Sequence, residues 1–130
     1  MDEDKKKLWK QAIKWPLYSV AILPVLITGA YLLNQYEKVK IYNLIAFTLA
    51  AILILLWENL TNDLFDAETG IDEFKFHSIV YLVKNKKIIS FIAYSSLVVG
   101  LLIISIISVS TSMNILILVA ACCFLGYLYQ

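Results

Sequence analysis

The chain has 130 residues, of which 61% are hydrophobic and 16% charged, with mean hydropathy +0.78. Soluble domains run nearer about 45–50% apolar and about 25% charged, and here the apolar excess falls in long runs, which marks a membrane protein. Net charge is +1, which gives no electrostatic basis for binding nucleic acid, and all eleven basic residues are Lys, so any phosphate must be held by Lys, backbone N–H groups or a metal.

In chain order, residues 5–14 suit a short helix lying on the membrane surface. Leu8, Trp9, Ala12 and Ile13 fall on one face, and Lys7, Lys10 and Lys14 on another. The segment is too charged for a cleavable signal peptide, and the apolar run after it is of spanning length. Four transmembrane helices are expected, over about 15–36, 41–61, 88–110 and 113–130, each near the ~20 residues that cross a bilayer core. Pro16 fits the first turn of the first span, and Pro24 inside it predicts a kink. The fold class is therefore all-α, a polytopic helical bundle.

Lys5, Lys6, Lys7, Lys10 and Lys14 precede the first span, and Lys75, Lys84, Lys86 and Lys87 lie between the second and third. Only Lys38 and Lys40 lie on the opposite side, so the amino terminus and the loop 62–87 are expected in the cytoplasm or its equivalent. Trp9, Trp15, Trp57, Tyr127 and Tyr129 fall near the expected interfaces. Cys122 and Cys123 are adjacent within an apolar run and read as packing residues.

The chemistry is concentrated where the second span meets that loop. If the helix continues for another turn, Asn59, Asn62, Asp63 and Asp66 share a face at spacings of three and four. Two carboxylates and two amides at a membrane boundary are costly to desolvate unless a cation joins them. Mg²⁺, taking one or two carboxylates plus substrate phosphate oxygens, meets that need. Gly70 permits a turn that brings Asp72 back toward the cluster. An ordinary acidic loop with helix-capping Asp and Asn residues is the plainer alternative. An EF-hand does not fit, because its sixth-position Gly would be Ile71 counting from Asp66. His77, the single histidine, reads as a loop residue, and Lys84, Lys86 and Lys87 as a membrane-boundary cluster.

The string Asn62-Asp63-Leu64-Phe65-Asp66 resembles the first aspartate-rich motif, N-D-x-x-D, of UbiA-type intramembrane aromatic prenyltransferases. The longer run 59–72, with Lys75, His77 and Ser78 and the openings 7–14 and 16–20, is similar to the branch acting on 1,4-dihydroxy-2-naphthoate, especially its cyanobacterial and plastid phytyltransferases. Where the strict superfamily motif has its last Asp, this chain has Gly70, and the third acid comes at Asp72.

The resemblance implies about nine spanning helices, an all-helical solution that pairs every backbone group inside lipid. It also implies a second aspartate motif in a later loop, so these residues are expected to be the amino-terminal portion of such an enzyme, completed by further carboxy-terminal helices or by a partner chain. By the same resemblance Asn62, Asp63 and Asp66 hold Mg²⁺, with Asp63 and Asp66 catalytic. Asn59 and Asp72 contact the prenyl diphosphate, and dihydroxynaphthoate is the acceptor, in phylloquinone or menaquinone biosynthesis. The membrane is then the plasma or thylakoid membrane. The alternative is a non-catalytic membrane subunit or scaffold with a divalent-ion-binding acidic loop.

Overall fold

The computed structural model describes residues 3–35, 40–70 and 78–129, and every regular element among them is an α-helix. In chain order these are α1 (Glu3–Ile13), α2 (Trp15–Gln35), α3 (Ile41–Thr69), α4 (Ile79–Val83), α5 (Lys86–Ser110) and α6 (Met113–Tyr129). Three stretches are long and apolar enough to cross a membrane: Lys6–Gln35, Ile41–Thr69 and Lys86–Ser110. The fourth expected span corresponds to α6, whose 17 residues make it shorter. At 1.5 Å per residue it reaches only about 26 Å, a little under the ~30 Å hydrocarbon thickness.

Helix α3 departs most from the sequence reading. It does not stop near Thr61 but continues two further turns to Thr69, 29 residues in all. A helix of that length spans about 43 Å, so about 13 Å must project beyond the hydrocarbon core. The extension is held by burial. Leu60 and Leu64 join Trp57, Val80, Ile89 and Ala93 in the main core cluster, where α3, α4 and α5 converge. The alternation of these apolar residues with Asn59, Asn62, Asp63 and Asp66 makes the segment amphipathic, although as a string it reads as a polar loop. Gly70 ends the helix in the left-handed region (φ 70°), its N–H donating to Asp66 O.

The loop 62–87 also contains a second unforeseen element, the five-residue α4. Ser78 caps it by accepting from Val80 N at 3.2 Å, and Lys84 closes it with φ 56°. Asn85 then caps α5, its side chain accepting from Ile88 N at 3.2 Å.

The bundle is built mainly on the α3–α5 pair, with α2 against α3 and α6 against α5. Lipid offers little hydrophobic drive for helix association, so close approach through small residues matters more. Ala50, Ala93, Ser96 and Gly100 are buried along this pair, and a Cβ at Gly100 would stand 3.0 Å from Ile54 Cγ1. Val20, Ile27, Phe91, Ile106 and Val109 are exposed, as expected of residues facing acyl chains. Helix α2 runs unbroken through Pro24, which withholds an N–H from the carbonyl of Val20.

Candidate functional site

The site lies at the end of α3 that projects beyond the apolar stretch, where the α1–α2 junction and the start of α4 meet it. Asp63 is at its centre, its side chain wholly buried. Its Oδ1 receives the ammonium of Lys14 at 3.1 Å. On the other side, Oδ2 accepts from the backbone N–H of Ile79 at 3.1 Å and from the Ser78 hydroxyl at 3.4 Å. A buried carboxylate needs such compensation, because desolvating it without charge and hydrogen-bond partners is strongly unfavourable. One side chain on α3 thereby ties together three stretches distant in sequence.

Asn59, one turn earlier, accepts from the same ammonium through Oδ1 at 2.8 Å. The residue is only 5% exposed, yet its Nδ2 has no hydrogen-bond partner among the described residues. The phenol of Tyr18, buried on α2, lies beside this amide. An unsatisfied buried N–H marks a position where an acceptor oxygen would be stabilised.

Lys14 owes its position to the backbone. It stands between α1 and α2 with φ 50°, a left-handed conformation that a residue with a side chain adopts at a cost of about 1–2 kcal/mol. Its N–H donates to Gln11 O and its carbonyl accepts from Leu17 N, so the junction is a tight turn and not a break. In the amphipathic α1, Ala12 is buried and Lys7 and Lys10 are exposed, whereas Lys14 turns inward against α3.

Of the residues singled out from sequence, the structure brings Asn59 and Asp63 together around one cation. Asn62 and Asp66 sit half-buried on the same stretch of α3. Asp72, with Lys75 and His77, lies outside the described residues. Among the described residues no three His, Cys, Asp or Glu side chains converge as a ready-made metal cage. Two carboxylates and an amide on one helix do suit a hard cation that takes its other ligands from water and substrate phosphate. Lys14, Ser78 and the Ile79 amide were not foreseen as partners of this site. Their signals were a Lys next to the Trp15-Pro16 start of a span and a Ser before the apolar run 79–83.

An open groove of about 500 Å³ runs along the opposite side of the same end, lined by Phe65, Glu68, Lys86, Lys87, Phe91 and Tyr94 among others. Lys86 crosses its rim to donate to Ala67 O at 3.3 Å.

Fold and site together define a helical membrane protein with a buried carboxylate–amide cluster at one helix end. The chain is similar to a particular kind of enzyme. Over 128 residues, 96% of its length, it is 38% identical to the 2-carboxy-1,4-naphthoquinone phytyltransferase of Synechocystis sp. (strain ATCC 27184 / PCC 6803 / Kazusa). It is 35% identical, over the same length, to the chloroplastic 2-carboxy-1,4-naphthoquinone phytyltransferase of Arabidopsis thaliana. The chain spans 41% and 33% of the length of these two relatives. They bear out the resemblance to naphthoate-branch prenyltransferases drawn from the aspartate motif. No family model matches, and no solved structure matches.

Proposed function

We propose that this chain is the portion of a membrane prenyltransferase that carries its first aspartate motif. The reaction is transfer of a prenyl group, phytyl by the relatives' names, from its diphosphate to 1,4-dihydroxy-2-naphthoate. One observation carries this reading: the match to two phytyltransferases covers almost the whole chain, including the stretch where Asn59 and Asp63 gather at the end of α3. Three stretches able to cross a membrane support an integral membrane enzyme. The Lys distribution supports placing this end of the bundle on the cytoplasmic side.

In this reading Asn62, Asp63 and Asp66 would hold Mg²⁺. When bound, Mg²⁺ supplies neutralisation of the leaving diphosphate, so that the allylic C–O bond can ionise. Asn59 donates its Nδ2 hydrogens to a diphosphate oxygen, an acceptor this buried N–H lacks among the described residues. By the resemblance, Asp72 would contact the same diphosphate. The apolar helices receive the prenyl tail and keep water from the cationic carbon. Attack by the electron-rich ring of the acceptor then forms the new C–C bond, and loss of the acceptor carboxylate as CO₂ accompanies it. The remaining ligands come from further carboxy-terminal helices or a partner chain.

The test is Asp63→Asn in the membrane-embedded protein, assayed for transfer from phytyl diphosphate with Mg²⁺ present. Transfer should be lost while membrane insertion is kept. Retained transfer would remove Asp63 from the metal site.

A further inference from the structure

Lys14 carries no role in the mechanism above, yet it occupies the position where a cation belongs. Its ammonium bridges Asp63 Oδ1 at 3.1 Å and Asn59 Oδ1 at 2.8 Å. An ammonium has three N–H donors, and two are used here. The two ends of the ion pair differ in freedom: the Asp63 side chain is 0% exposed and the Lys14 side chain 29%. Asp63 is also fixed from behind by Ile79 N and Ser78 Oγ, whereas the Lys14 head rests at the end of a flexible four-carbon stem.

We propose that Lys14 is the resting counter-cation of this site, displaced from Asp63 when a divalent cation binds and released toward the phosphate oxygens of the prenyl diphosphate. The idea rests on the reading that Asp63 is a metal ligand. A divalent ion at Asp63 Oδ1 repels an ammonium now 3.1 Å from that oxygen, and only the lysine can move away. The diphosphate supplies the acceptors that the displaced ammonium needs. The Nδ2 of Asn59, which faces the Tyr18 phenol and has no partner at hydrogen-bond distance among the described residues, supplies an adjacent donor, so the two together form an anion-binding pair beside the metal position. Before substrate arrives, Lys14 gives the buried carboxylate an ion-pair partner without metal.

Two measurements on the detergent-solubilised protein test this. In the wild type, labelling of the Lys14 amine by an amine-reactive ester, read by peptide mass spectrometry, is compared without and with Mg²⁺ alone. Labelling should rise several-fold with Mg²⁺, and unchanged labelling would overturn the proposal. Second, Mn²⁺ affinity is measured by electron paramagnetic resonance for the wild type, Lys14→Met and Lys14→Gln. Removing a competing cation should tighten Mn²⁺ binding about tenfold in whichever variant folds. Weaker or unchanged binding would show a purely structural lysine. An Asp63→Asn control separates the two readings. If that variant binds Mn²⁺ like the wild type, the metal site itself is misplaced. If it loses Mn²⁺ while the Lys14 variants bind no more tightly, only the counter-cation role fails.

Discussion

The backbone N–H of Ile79 donates to Oδ2 of Asp63 at 3.1 Å, although the two residues are separated by the whole segment that links α3 to α4. The same carboxylate holds Lys14 from 49 positions earlier. A residue read from sequence as a metal ligand is therefore also the clasp that fastens the start of α2 and the start of α4 to the end of α3.

The clasp predicts strong coupling between Lys14 and Asp63. Lys14→Met leaves a fully buried carboxylate without its ammonium partner, a loss of about 2–4 kcal/mol. Asp63→Leu removes the buried charge and lets the lysine turn to water, but it also takes the acceptor from the Ile79 N–H and the Ser78 hydroxyl, so its cost is comparable. The double variant should be more stable than the sum of the single losses allows, by at least about 1 kcal/mol. Thermal unfolding in detergent micelles, followed by tryptophan fluorescence, reads all four proteins. Additive losses would mean that the pair contributes nothing as a pair.

Ser78 both caps α4 and donates to Asp63. Ser78→Ala should lower stability by about 1 kcal/mol, the usual cost of losing a cap. Ser78→Asp keeps a capping oxygen but sets a second carboxylate against the buried Asp63. It should be worse than alanine, the reverse of the order expected at an exposed cap. Melting temperatures of the two variants decide the matter.

The ends of the long apolar helices were legible because hydropathy changes abruptly there. Trp15, Ile41, Ser110 and Met113 stand at both the expected and the observed boundaries. The last turn of α3 and the whole of α4 were hidden. Asn62, Asp63 and Asp66 make that stretch look like a loop, and only packing of Leu60 and Leu64 against Val80 and Ile89 makes it a helix. The pairing of Asn59 and Asp63 was legible by spacing. Its cation was not, because Lys14 belongs by pattern to the polar face of α1 and reaches Asp63 only through a positive φ that no propensity anticipates.

Lys84 shows a similar backbone conformation without an ion pair among the described residues to justify it. It closes α4 at φ 56°, its N–H donating to Val80 O at 3.0 Å, and it is exposed. Lys84→Gly should stabilise the protein by up to about 1 kcal/mol, since glycine adopts this region without a Cβ penalty. A higher melting temperature with unchanged helical circular dichroism is the expected result. Lys14→Gly, by contrast, should destabilise despite relieving the same strain, because the ammonium is lost from Asp63.

Two glycines in the bundle respond differently to added side chains. A Cβ on Gly29 would lie 2.6 Å from Leu44 Cδ1, apparently the worse clash. That atom ends a flexible side chain, and both residues border an open apolar groove into which it can swing. Gly29→Ala should therefore be tolerated within about 0.5 kcal/mol, the gain in helix propensity offsetting the small shift. At Gly100 the nearest atoms are Ile54 Cγ1 at 3.0 Å and the backbone oxygen of Ala50 at 3.3 Å. Backbone cannot step aside without parting α3 from α5, the main helix pair. Gly100→Val should cost about 2–3 kcal/mol, in the range of core overpacking. Because the core cluster and Asp63 both depend on that pairing, Gly100→Val should also loosen the distant site. Proteolysis between α3 and α4 should accelerate in Gly100→Val and not in Gly29→Ala. Equal protection in both would mean that the site is held by its own hydrogen bonds, independently of the helix pair beneath it.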